Sequence, residues 1–166
     1  MYKIGLIGCG NIAETYFRSQ EYFNNIEIVS CADINEDLAK KCANQYNVQP
    51  LSVDDLLADN KNSIVLNLTP PQAHYEVTKK ILLANKHSYC EKPLSTTFKD
   101  GQELLNLAKE KNLYLGNSPD TFLGAGIQLS RQLIDNGSIG DVKLGVINFA
   151  FPGVESFHPN PKSWFV

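Results

Sequence analysis

Residues 6–14 read LIGCGNIAE, with Gly8, Gly10 and Ala13 in a G-x-G-x-x-A pattern directly behind the apolar run YKIGLIG at 2–8. By itself the pattern marks little more than a tight turn. Here it follows a strand candidate and opens an amphipathic stretch, the setting that a phosphate cradle requires. Gly8 permits the turn, Gly10 leaves the backbone open to a close diphosphate, and Ala13 lets helix and strand pack tightly. The first amides of a helix have no partner inside it, so those of Asn11 and Ile12 are expected to face the phosphates, aided by the helix dipole. Asn11 is also placed to cap that helix, with Ile12, Ala13, Tyr16, Phe17 and Phe23 along one side.

Outward from this turn, strand and helix patterns alternate. IEIVSCAD (26–33), SIVLNL (63–68), HSYC (87–90) and LYLG (113–116) are short, β-rich and apolar. Between them lie helical patterns: one over about 36–46, one with Ala73, Val77, Ile81 and Ala84 on a face, and one that turns Phe98, Leu104, Leu105 and Ala108 to the core. Continuous apolar strands separated by amphipathic helices predict a doubly wound α/β fold of the Rossmann type, a parallel sheet covered on both faces. Right-handed crossovers then gather the strand ends on one edge, where such sheets bind ligands. The pattern changes near residue 120. A helix over 122–136 ends at NGSIG, and KLGVINFAF (143–151) reads as a long strand apolar on both faces. The expected division is a dinucleotide-binding domain at 1–120 and the truncated start of a second, α+β domain at 121–166. A strand left there without neighbours would expose an apolar edge.

Asp33 ends the second strand, 20 positions after Ala13. A carboxylate there accepts hydrogen bonds from the adenosine ribose hydroxyls. The plainer alternative is a solvated Asp opening an Asp-x-Asn turn. With the glycines correctly placed upstream, the ribose reading is preferred. A carboxylate repels a 2′-phosphate and no arginine follows it, so NAD is expected over NADP, with Ile34 against the adenine.

Composition narrows the classes. The 166 residues carry a net charge of −3 without a basic stripe, which argues against nucleic acid. No apolar run approaches the ~20 residues of a membrane span. The start MYKIGLIG does not read as a secretion leader. Cys9, Cys31, Cys42 and Cys90 show no C-x-x-C pair and no zinc spacing. Reduced thiols in a cytoplasmic protein are the expectation.

A second pair of motifs, NLTPPQAHYEVTKKIL (67–82) and YCEKPL (89–94), joins the glycine turn. Together these resemble the Gfo/Idh/MocA oxidoreductases, the family of glucose–fructose oxidoreductase and inositol dehydrogenase, over residues 1 to about 116. The resemblance implies an NAD(P)-dependent hydride transfer to or from a sugar, cyclitol or related polyol. It implies that Thr69 and Pro70 line the nicotinamide half of the cofactor, with His74 close to its ribose. Glu91 would bond that ribose, and Lys92 would be the catalytic residue between cofactor and substrate hydroxyl, aimed by a cis Lys92–Pro93 peptide. An ammonium at a reacting hydroxyl stabilises alkoxide character and can move a proton. The family also implies a homo-oligomer when full length.

Departures follow from the same comparison. GNSPDTFLGAGIQ (116–128) stands where many relatives carry arginines, and the Asp-x-x-x-His motif of their second domain does not occur. His158 is the remaining candidate for a substrate contact, with an exposed loop histidine as the alternative. A fragment of this extent is expected to bind cofactor with little turnover. The rival expectation is a non-catalytic dinucleotide-binding regulator, which would have no need of Glu91-Lys92-Pro93. A nucleoside-dependent methyltransferase shares glycine turns but leaves that strand end unexplained.

Overall fold

A computed structural model describes residues 1–150 and Gly153. His158 and the end of the run 143–151 lie outside the described residues. By internal contacts the chain divides into two units, Met1–Asp120 and Thr121–Val166.

In the first unit, β1 (Tyr2–Ile7), β2 (Ile26–Ala32), β3 (Gln49–Pro50), β4 (Ile64–Asn67), β5 (His87–Cys90) and β6 (Leu115–Asn117) form one sheet in the order β3-β2-β1-β4-β5-β6. All neighbours are parallel. The connections carry α1 (Ala13–Ser19), α2 (Glu36–Tyr46), α3 (Val53–Ala58), α4 (His74–Leu83) and α5 (Phe98–Glu110). Strand side chains alternate between faces, so Leu6 and Ile7 enter different cores. Leu6 packs with Phe17, Ile28, Cys31 and Leu66. Ile7 packs with Ala32, Leu56, Val65 and Ile81. This is the doubly wound Rossmann fold that the alternation predicts.

Side-chain caps set several helix starts. Asn35 accepts from the amides of Asp37 and Leu38, Ser52 from Asp55, and Thr97 from Asp100. Asn47, at φ 53°, closes α2 in the left-handed conformation. Lys86 is buried and donates through Nζ to the carbonyls of Asp59 and Asn62 at 2.7 and 2.6 Å, which ties the loop before β4 to β5. Burial pushes its ammonium below the ordinary lysine range.

Several expectations need correction. α1 starts at Ala13 with Ile12 as its N-cap and no side-chain cap, so Asn11 does not cap it. Ile12 precedes the first turn of α1 and is exposed, as is Phe23, which follows the 3₁₀ turn at Gln20–Tyr22 that ends the helix. Phe98 is 87% exposed and Leu105 41%, while Leu104 and Ala108 are buried. Phe98 is the first residue of α5. β3 and α3 were not anticipated.

In the second unit, α6 (Ala125–Asp135) begins later than the predicted 122. Among the described residues no strand lies at 143–150, and every one from Thr121 to Ala150 is exposed.

Candidate functional site

The chain runs one way from β1 through β2 and β3, and the other way from β4 through β5 and β6. The β1–β4 pair is therefore the switch point, where loops diverge and leave a crevice at the carboxyl ends of the strands. The glycine turn follows β1 and the Thr-Pro segment follows β4, so both motifs belong to this crevice.

Gly8 has φ 102°, a backbone conformation that L side chains rarely adopt, and its amide donates to the Ala32 carbonyl at 2.9 Å. A Cβ on Gly8 would lie 2.6 Å from the Leu68 carbonyl carbon and 2.8 Å from the Thr69 nitrogen. The two turns thus press backbone on backbone. At Gly10 the reverse holds, since a Cβ there would meet nothing within 4 Å. The Gly10 carbonyl accepts from the Ala13 amide at 3.1 Å. The amides of Gly10, Asn11 and Ile12 find no acceptor among the described residues. Orphan donors around an open space fit the phosphates of a dinucleotide.

Asp33 stands opposite. Its Oδ2 accepts from the Cys9 amide and its Oδ1 from the Asn35 amide, each at 2.8 Å. The Asp-x-Asn turn and the cradle are thus parts of one arrangement: the carboxylate is held by the glycine turn on one side and the start of α2 on the other. Ile34 is 98% exposed beside it.

Under the Thr-Pro turn lies buried Asn67. Its Oδ1 accepts from the Thr69 amide and hydroxyl at 3.2 and 2.6 Å, and its Nδ2 donates to the His74 carbonyl and to Thr78 Oγ1. Pro70 accepts from the Ala73 amide through its carbonyl as the chain turns into α4. His74 opens α4. It is 1% exposed, with Nε2 2.7 Å from the Thr69 carbonyl and Nδ1 against the Pro93 carbonyl. Both ring nitrogens are occupied inside the protein, so the imidazole clamps the loop after β4 to the loop after β5. A neutral ring donates to only one of these carbonyls. Replacing His74 with alanine removes the donor to one carbonyl and opens a void, an expected loss of about 2–4 kcal/mol that urea unfolding measures.

Glu91 is fixed from two sides. Oε1 accepts from the Tyr16 hydroxyl at 2.8 Å, and Oε2 from the Lys92 amide at 3.0 Å. Tyr16 also meets Ser118 Oγ at 2.8 Å, and Asn117 Nδ2 donates to the carbonyls of Cys90 and Glu91. Burial raises the proton affinity of the Tyr16 phenol, which keeps it a donor to the carboxylate. Tyr16, Asn67, Asn117 and Ser118 carry this support and were not anticipated. The Lys92–Pro93 peptide is cis, and the Lys92 side chain is exposed with no acceptor for Nζ among the described residues. Gly8, Gly10, Asn11, Ile12, Asp33, Thr69, Pro70, Glu91 and Lys92 all stand in the loops at this edge, whereas His74 is built into the wall.

The family description "Oxidoreductase family, NAD-binding Rossmann fold", that of the Gfo/Idh/MocA proteins, matches residues 2–118. An uncharacterized oxidoreductase of Schizosaccharomyces pombe is 39% identical over 90 residues, 54% of this chain and 24% of that protein. Inositol 2-dehydrogenase of Salmonella paratyphi B is 30% identical over 146 residues, 83% of this chain and 43% of the relative. Among solved structures, the 3-ketoreductase KijD10 of Actinomadura kijaniata, a Y186F mutant in complex with TDP-benzene and NADP, is 26% identical. It superposes with a TM-score of 0.78, over 85% of this chain and 44% of that one. The chain spans less than half the length of these relatives. With that match across the whole sheet, the chain belongs to the Gfo/Idh/MocA family of NAD-binding oxidoreductases.

Proposed function

We propose that this chain is the cofactor-binding part of an NAD-dependent dehydrogenase or reductase acting on a sugar, cyclitol or related polyol. One observation carries the reading: unpaired amides over an open Gly10 face Asp33 across the same turn that abuts the Thr69–Pro70 loop. The amides of Gly10, Asn11 and Ile12 would hold the diphosphate and Asp33 the adenosine ribose, with Ile34 under the adenine. Thr69, Pro70, Glu91 and Lys92 would line the nicotinamide half. When bound, nicotinamide supplies a carrier of hydride.

The protein's own part is electrostatic and steric. Glu91, locked by Tyr16, presents a fixed carboxylate face to a ribose. Lys92, free of internal partners, offers its ammonium to a substrate oxygen that gains negative charge as the carbon–hydrogen bond breaks. A polyol substrate accords with the inositol 2-dehydrogenase among the relatives.

Titration with NADH, followed by nicotinamide fluorescence, is expected to saturate, with NADPH binding at least about ten-fold more weakly because Asp33 opposes the 2′-phosphate. Asp33→Ala should weaken NADH by about ten-fold and narrow the gap between the two cofactors. Equal affinity for both in the unaltered chain overturns the NAD preference. Absence of saturation with either overturns the cofactor assignment.

A further inference from the structure

Beneath the glycine turn, thiols from three elements converge. Cys9 lies in the turn itself, Cys31 on β2 and Cys42 on α2, and their sulfur atoms are all within 4.8 Å of one another. Cys31 and Cys42 are buried, and Cys9 is partly buried. The surrounding core is apolar, built from residues such as Ile4, Leu6, Phe17 and Ile28. The proposed hydride transfer uses none of the three sulfurs. We propose that Cys9, Cys31 and Cys42 form a three-thiol site for a trivalent thiophilic metalloid of the arsenite class.

Donor type, spacing and charge each favour this ligand. Thiolates select soft ions over hard ones. Bonds of about 2.3 Å from a central atom to three sulfurs place those sulfurs about 3.5–4 Å apart, so the cluster needs to contract by only about an ångström. Charge then chooses among soft ions. Three thiolates leave a monovalent ion at −2 and a divalent ion at −1, and uncompensated charge in an apolar core is costly. The charged neighbour that acts on Cys31 and Cys42 is the Asp33 carboxylate, which opposes further negative charge. A trivalent centre with three thiolates is neutral. The exchange balances without an oxidant: As(OH)₃ and three Cys–SH give As(S-Cys)₃ and three water molecules. Three As–O and three S–H bonds break, three As–S and three O–H bonds form, and arsenic stays trivalent. Burial pushes the Cys42 thiol up to about 11, so the protons released there leave with the hydroxides as water rather than needing a free thiolate beforehand.

The reduced 166-residue chain is titrated with sodium arsenite under anaerobic conditions and read by native mass spectrometry. The expected product has gained a single arsenic atom and lost three hydrogens. Cys9→Ala, Cys31→Ala and Cys42→Ala should each weaken uptake at least ten-fold, and Cys90→Ala should leave it unchanged. No gain of arsenic, loss of only two hydrogens, or dependence on Cys90 overturns the site. The hydrogen count in the unaltered chain decides the matter even where a core variant fails to fold.

Discussion

Gly8→Ala is expected to cost the first unit about 2–6 kcal/mol and to abolish NADH binding. Two effects combine. The position has φ 102°, so any side chain is strained there by about 1–3 kcal/mol. The added Cβ also meets only backbone, 2.6 Å from the Leu68 carbonyl carbon, 2.7 Å from its oxygen and 2.8 Å from the Thr69 nitrogen. No rotamer change relieves such contacts, so the β1 and β4 loops must separate, at about 1–3 kcal/mol more. Against a typical domain stability of about 5–15 kcal/mol this is a large fraction. Urea unfolding and NADH titration of the same sample measure both effects. Gly10→Ala supplies the contrast: with nothing within 4 Å of its Cβ, stability should hold while NADH affinity falls. A Gly10→Ala chain that binds NADH like the parent would show that the phosphates lie elsewhere.

The contrast between these glycines explains what was legible in the sequence. Local features were readable because each is written in a few adjacent residues: the strand before the turn, Asp33 after the next strand, the stop at Pro70–Pro71, and the Glu91-Lys92-Pro93 corner. The parallel sheet covered on both faces followed from the alternation. The support of the site was not readable, because it is made of contacts between distant segments. Tyr16 reaches Glu91 across 75 positions and Ser118 across 102. In a helical pattern Tyr16 looks like one more apolar side chain, and only its tip reveals the connection. Asn67 reads as a polar interruption in a buried strand, yet it satisfies both Thr69 and α4 from within. His74 sat in a motif that suggested a ligand, while its burial between two carbonyls is set by the meeting of the β4 and β5 loops. β3 escaped because it spans two residues and includes Pro50, which pattern alone assigns to a turn.

Lys92→Ala, in a protein that joins this chain to a complete substrate domain, is expected to lower kcat by about 10²–10⁴ while NADH affinity stays within about two-fold. The separation follows from geometry. The carboxylate of Glu91 is anchored by Tyr16 and by the Lys92 amide, a main-chain bond that survives the substitution. Likewise the clamp from His74 ends on the Pro93 carbonyl, so truncating the exposed Lys92 side chain leaves the loop in place. What is lost is the ammonium alone. Lys92→Arg then distinguishes its two possible contributions. Arginine keeps the positive charge but does not release a proton in the working range of proteins. Charge stabilisation alone would restore much of the rate, whereas a lysine that also moves the hydroxyl proton leaves the arginine variant slow across all pH. The second outcome is expected, because the hydroxyl must lose its proton as the carbonyl forms and no histidine or carboxylate other than the locked Glu91 adjoins Lys92 in its loop. An alanine variant with unchanged kcat would move the chemistry to another residue and reduce this corner to a cofactor support.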